Sequence, residues 1–233
     1  MAVRRLITAT PSPFRFTASL LISLATAGLC IASEGAGPVP PTGDRPLIVA
    51  FGDSLTAGLG VAEEDSYPSQ LQRRLDRDGF HYRVINAGVS GDTTAGGLRR
   101  INWVLKSRPQ IVILELGAND GLRGLSLRET KANLERIIQQ CRSASATVIL
   151  AGMKLPPNYG AEYTNHFESL YPALASEHHV VLIPFFLDGV AGSASLNQAD
   201  GIHPTGEGYR IIVDKVLDTV KPLLERAKKP QTQ

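Results

Sequence analysis

The sequence predicts an α/β fold, a three-layer α/β/α sandwich built on a five-stranded parallel sheet, and three observations carry that reading. Five short runs, Leu47–Phe51, Tyr82–Ile85, Ile111–Leu116, Thr147–Ala151 and Val180–Ile183, are rich in Val and Ile and largely apolar rather than alternating. Strands covered on both faces read this way. Stretches of helical spacing separate them, and such strand–helix alternation builds a parallel sheet through right-handed crossovers. Small polar residues and glycines follow the first three runs directly, which gathers them on the carboxyl edge of the sheet, where folds of this kind bind ligands.

Each element has a local reason. Arg4, Arg5 and Arg15 precede an uncharged stretch from Phe16 to Ser33 made of Ala, Leu, Ile and small polar residues. A basic region followed by an apolar one is the layout of a secretory signal peptide. Residues 1–32 are therefore assigned as a signal with cleavage near Ala32. Two alternatives stay open, an uncleaved anchor and a lipidated Cys30, although bulky Leu29 precedes that cysteine. The apolar run is short for a membrane span of about 20 residues. Residues 33–46 are rich in Gly and Pro and read as a linker.

Leu47–Phe51 is the first strand and ends in Gly52-Asp53-Ser54-Leu55. Tyr67, Leu71 and Leu75, spaced by four, mark the apolar side of a helix. The second strand runs into Asn86-Ala87-Gly88-Val89-Ser90-Gly91-Asp92-Thr93, and the third into Gly117-Ala118-Asn119-Asp120. Leu127, Leu134, Ile137, Ile138 and Cys141 recur at helical spacing before the fourth strand. After the fifth, a final helix is drawn by Tyr209, Ile212, Val213, Val216, Leu217, Val220 and Leu224, with Thr205 as its N-cap. Residues 47–226 suit one domain, and 227–233 form a flexible tail.

Charge and cysteine usage exclude several functions. Residues 1–32 carry three arginines and no acid, so removing them leaves 24 − 3 = 21 Lys+Arg against 22 Asp+Glu. That balance offers no overall basic character for nucleic acid. Past the signal only Cys141 remains, which rules out an intramolecular disulfide and reads as a small core residue. His178-His179 lacks companions at metal-ligand spacing, and no metal is expected. No G-x-G-x-x-G or G-x-x-x-x-G-K-[ST] fingerprint follows a strand, and no cofactor is expected.

The remaining signals are chemical. A serine hydroxyl is a weak nucleophile until a base takes its proton, and the base works best when a third group orients it. Ser54 sits on the turn after the first strand. His203 is the candidate base, and Asp200, three residues earlier, is close enough to orient it through a tight turn. A tetrahedral intermediate needs donors for its oxyanion. The candidates are the side-chain amide of Asn119 and the backbone N–H groups of Ser54 and Gly91. Asp53 and Asp92 read as turn-shaping residues, and Asn86 and Asp120 as braces of the same loops. Tyr159 and Tyr163 are candidates for lining an acyl pocket.

Four blocks in this order, "FGDSLTAG", "NAGVSGDTT", "LELGANDGLRG" and "DGIHPTGEGY", resemble the GDSL, or SGNH, hydrolase superfamily. The resemblance runs from about Leu47 to Leu224. It extends to "KLPPNYGAEYTNHFESLYPALA", which is similar to the bacterial branch of secreted acyl thioesterases, lysophospholipases and arylesterases. It implies a flavodoxin-like sheet, Ser54 as nucleophile, His203 as general base and Asp200 as its orienting acid. It also implies an oxyanion hole of Ser54, Gly91 and Asn119. One departure stands out: the branch has Gly-Gly-Asn-Asp where this chain has Gly117-Ala118-Asn119-Asp120. A methyl group there raises a question about the loop, because alanine avoids positive φ.

The expectation is an exported serine esterase, periplasmic or secreted, that cleaves carboxylic esters or thioesters through an acyl-enzyme at Ser54. Its partner would be a small acyl ester or a lysophospholipid, with contact to a membrane surface, no nucleic acid, and a monomeric chain. One rival is a short-chain carbohydrate acetylesterase built on the same machinery. Another is a non-catalytic flavodoxin-like module that cradles phosphate or flavin in its glycine-rich loops. The latter gives no reason for Asp200 and His203 at their spacing.

Overall fold

The computed structural model describes residues 45–228; the signal segment, all but the last two residues of the linker, and the final five residues lie outside the described residues. Five strands pair in parallel, β1 (Leu47–Gly52), β2 (Arg83–Gly88), β3 (Ile111–Glu115), β4 (Thr147–Ala151) and β5 (Val181–Ile183), in the order β2-β1-β3-β4-β5. This is the flavodoxin-like order, and its direction reverses between β1 and β3. A crevice opens at that reversal, beyond the carboxyl ends of the strands.

A parallel sheet has to be covered on both faces, and helices do this in two layers. The helix α2 (Tyr67–Arg77) packs with the long final helix α7 (Gly206–Lys228). On the other side α3 (Thr94–Leu105), α5 (Leu127–Ser143) and α6 (Ala161–His178) lie in a row, α5 touching both neighbours. The core runs through β1, β3 and β4, where Ile48 to Phe51, Val112 to Leu114 and Ile149 to Ala151 are buried. Tyr67, Leu71 and Leu75 are buried on α2, as their spacing predicts, and so are Leu134, Ile137, Ile138 and Cys141 on α5. Burial pushes the Cys141 thiol up to about 12, which leaves it inert packing. Thr205 caps α7 by accepting from the Gly208 N–H at 3.3 Å.

The sheet edges differ from the expectation. β2 starts one residue later than predicted and continues through Asn86-Ala87-Gly88, whose backbones pair with Ala50, Phe51 and Gly52. It is exposed or half-buried along its whole length, because an edge strand has one open side. β5, the opposite edge, is only three residues long. No helix is predicted over α3, although Leu98, Ile101 and Leu105 fall at helical spacing within it. Gly96 and Gly97 lower its intrinsic propensity, and its stability comes from Thr93, which accepts from the Gly96 N–H, and from packing on α5. Among the described residues no helix is long and apolar enough to cross a membrane.

Candidate active site

At the end of β1 the chain turns directly into α1 (Ser54–Ala57). Asp53 makes the turn by accepting from the Leu55 N–H at 3.0 Å. Gly52 is a strand residue rather than a turn residue, and a Cβ there would strike the Thr56 hydroxyl and the Glu115 carboxyl. This close passage seats Ser54 at the floor of the crevice, where it is 8% exposed.

Ser54 Oγ lies 2.8 Å from His203 Nε2, across 149 positions of sequence. His203 Nδ1 lies 2.7 Å from Asp200 Oδ2. The other oxygen of Asp200 accepts from the N–H groups of Ile202 at 2.9 Å and His203 at 3.0 Å. Those two backbone bonds, with the His203 ring beside them, hold the Asp200 carboxyl down to about 2. An ionised Asp200 draws the imidazole proton to Nδ1 and leaves Nε2 as an acceptor facing the serine hydroxyl. The structure thus brings together the three residues that the sequence set apart.

The crevice also holds donors without acceptors. The N–H groups of Ser54 and Gly91 have no acceptor among the described residues, and Gly91 reaches its position with φ +79°. Asn119 lies on α4 (Ala118–Leu122) and donates from Nδ2 to Asp53 Oδ2 at 3.0 Å. An amide nitrogen carries two hydrogens, so one remains for a ligand. Ala118 raises no strain, because the positive φ of this loop, +115°, falls on Gly117 instead. Tyr171, whose hydroxyl donates to the Leu116 carbonyl at 3.1 Å, packs beneath the same loop.

Several residues that the motifs did not mark hold this arrangement. Arg123 Nη2 donates to the Gly91 carbonyl at 3.1 Å and to Asn119 Oδ1 at 3.3 Å. It therefore joins two candidate oxyanion donors and turns the Asn119 nitrogen toward Asp53. Its position four residues after Asn119, one helical turn on, is the sequence signal that could have found it. Arg100 donates to Asp92 at 2.7 Å and to the carbonyls of Ala87 at 2.7 Å and Gly52 at 2.8 Å. It ties the ends of β1 and β2 to the Gly91 loop. Asp120 accepts from the backbone and hydroxyl of Thr94 at 2.8 and 2.5 Å, which joins α4 to α3.

Under α1 lies a second carboxyl that no motif announced. Glu115 is fully buried, and its Oε2 accepts from the Thr56 hydroxyl at 2.7 Å and the Asp53 N–H at 3.3 Å. Burial, then the neighbouring Asp53, pushes its pKa well above the usual carboxylate range. Burial also raises Asp53, to about 6, against the hydrogen bonds from Leu55 and Asn119. Among the described residues no cation pairs with Glu115, so the desolvation of its carboxyl goes uncompensated.

Tyr159 and Tyr163 come from the segment that follows β4, Tyr159 ending a 3₁₀ turn and Tyr163 in the first turn of α6. The Tyr159 hydroxyl donates to the Leu122 carbonyl at 3.0 Å, and that of Tyr163 to Gly121 and Leu125 at 3.3 and 3.4 Å. Their hydroxyls are engaged in clamping the chain that follows β4 to the loop around α4. Among the described residues no three His, Cys, Asp or Glu side chains converge on a metal position.

A model of the GDSL-like lipase/acylhydrolase family matches residues 50–211. The chain is 43% identical over 178 residues to "Esterase TesA" of Pseudomonas aeruginosa, covering 76% of this chain and 89% of that one. It is 38% identical over 178 residues to "Thioesterase 1/protease 1/lysophospholipase L1" of Escherichia coli K12, covering 76% and 84%. Its fold matches the crystal structure of the esterase EstA from Pseudoalteromonas sp., inhibited by monoethylphosphonate. That match has a TM-score of 0.74 at 34% identity and covers 78% of this chain and all of the other.

Proposed function

We infer the activity from one premise: the chain belongs to the GDSL-like lipase/acylhydrolase family. It is a hydrolase of ester bonds, and we assign the chemistry to an acyl-enzyme at Ser54. The observation that carries this reading is the relay of Ser54, His203 and Asp200, joined at 2.8 and 2.7 Å.

In the first half-reaction His203 Nε2 takes the proton of Ser54 Oγ as that oxygen attacks the carbonyl carbon of the ester or thioester. The oxyanion is received by the N–H groups of Ser54 and Gly91 and by Asn119. Collapse of the intermediate breaks the bond to the leaving oxygen or sulfur, which takes the proton from Nε2. Water then repeats the sequence on the acyl-enzyme and releases the acid and free Ser54.

The substrate class follows from the rim. Leu59, Val89, Leu125, Tyr159 and Ile202 are exposed large hydrophobic side chains in the connections at the carboxyl edge of the sheet, Tyr159 ending a short 3₁₀ turn and the other four on loops. Such a rim favours acyl chains longer than acetyl. The basic and apolar residues of 1–32 support export, so the natural substrates we propose are lysophospholipids and external acyl esters. Initial rates on p-nitrophenyl esters from acetyl to palmitoyl test this. Ser54→Ala should lower kcat by about 10⁴-fold or more. A medium or long optimum supports the reading, and a sharp preference for acetyl would move the protein to the carbohydrate esterases.

A further inference from the structure

Away from the catalytic relay, the β2 edge of the sheet carries an open groove of about 580 Å³ between the edge strand and α3. Val49, Ile85, Ala87, Val89, Trp103 and Val104 line it. Trp103 is 73% exposed, far more than any other large apolar side chain among the described residues, and it is the one tryptophan of the sequence. It lies outside the relay of Ser54, His203 and Asp200.

The charges around the groove have a single sign. Arg99, Trp103 and Lys106 stand at i, i+4 and i+7 and form one stripe along α3 and its C-cap. Arg83 is in phase with Ile85 and Ala87, so it lies on the groove face of β2. Residues 83–108 contain five cations and one acid, Asp92, which is taken by Arg100 at 2.7 Å. Arg83, Arg99, Lys106 and Arg108 have no acidic partner among the described residues. The patch therefore stands apart from a chain whose overall charge is close to balanced.

We propose that this edge is a docking surface for bilayers containing anionic phospholipid, with Trp103 entering the headgroup region and the free cations meeting lipid phosphates. Indole at the interface beside Lys and Arg is the pairing that an anionic membrane surface selects. The groove is apolar between its cations, as an acyl environment requires. Val89, at its upper end, also belongs to the rim of the crevice two residues from Gly91. Docking there would bring the crevice to the place where acyl lipids are found. That benefit rests on the ester-hydrolase reading, but binding itself does not.

The test uses the full chain carrying Ser54→Ala, so that lipid stays intact, and reads Trp103 fluorescence. The probes are vesicles of phosphatidylcholine alone and of phosphatidylcholine mixed with phosphatidylglycerol. The expected result is a blue shift, and quenching by brominated acyl chains, with the mixed vesicles only, reversed by high salt. Arg99→Glu with Lys106→Glu should weaken it at least about tenfold. With Ser54 restored, the double variant should hydrolyse soluble p-nitrophenyl butyrate as the parent does. An unshifted Trp103, equal response to both vesicle types, or full binding by the double variant would overturn the proposal. An equal shift with a single-stranded oligonucleotide would reassign the patch to phosphate polymers. Vesicle binding without esterase activity would sink the catalytic reading and leave the surface standing.

Discussion

In the proposed reaction Ser54, His203 and Asp200 handle one proton, and their neighbours decide where the negative charge can rest. Asn119→Ala should lower kcat by about 10²–10³-fold with little change in KM, because its amide serves the oxyanion and not the ground state. Arg123→Ala should cost less, about tenfold, through an Asn119 side chain that is free to turn. Restoration by Arg123→Lys would fit a bridging role, whereas kinetics unchanged in Arg123→Ala would remove it. Asp53 gives a pH signature. Its carboxyl is raised to about 6, so its favourable contribution to stability is complete below the ordinary value of 3.8 and is lost as pH rises through about 6. Asp200, lowered to about 2, behaves oppositely and loses its contribution only as pH falls toward 2. Asp53→Asn should therefore gain on the parent by about 2–3 kcal/mol in unfolding free energy between pH 4 and pH 7. A pH-independent difference in denaturant titrations would contradict the buried-charge account. Ser54, Gly91 and Asn119 were legible because each follows a strand on one edge, and Asp200 and His203 because they stand three residues apart just before the last helix. Arg123 and Glu115 were not, since one acts through carbonyl and amide oxygens and the other is hidden inside an apolar run.

At the scale of elements, the passage of β1 into α1 sets the tolerance of the site. Gly52 faces Thr56 and Glu115 with no room for a methyl group, so Gly52→Ala should cost about 1–3 kcal/mol and lower activity with it. Unchanged thermal stability would show that α1 yields more easily than its packing implies. The central strands β1, β3 and β4 were readable as continuous apolar runs because helices cover both their faces. β2 was readable only in part. Its last three residues, Asn86-Ala87-Gly88, look like a loop and become strand through backbone pairing with Ala50–Gly52. The α3 helix has Leu98, Ile101 and Leu105 at helical spacing, but tertiary packing has to hold Gly96 and Gly97 in a conformation that propensity disfavours.

For the molecule as a whole, the 2-1-3-4-5 sheet explains why residues so far apart in sequence meet. β1 supplies Ser54, the loop after β2 supplies Gly91, β3 leads to Asn119, and the approach to α7 supplies Asp200 and His203. All of them arrive at the edge where strand order reverses, so the fold itself builds the site. The order of strands could be expected only from the family resemblance, since apolar runs do not state who their neighbours are. The proposed reaction passes through a covalent ester on Ser54. The most direct measurement is intact-protein and peptide mass spectrometry after rapid acid quench during turnover of a p-nitrophenyl ester. The expected result is a transient acyl adduct on the peptide containing Ser54, formed in a burst with p-nitrophenol and absent in Ser54→Ala. Hydrolysis at an undiminished rate in Ser54→Ala, or an adduct on another residue, would contradict it.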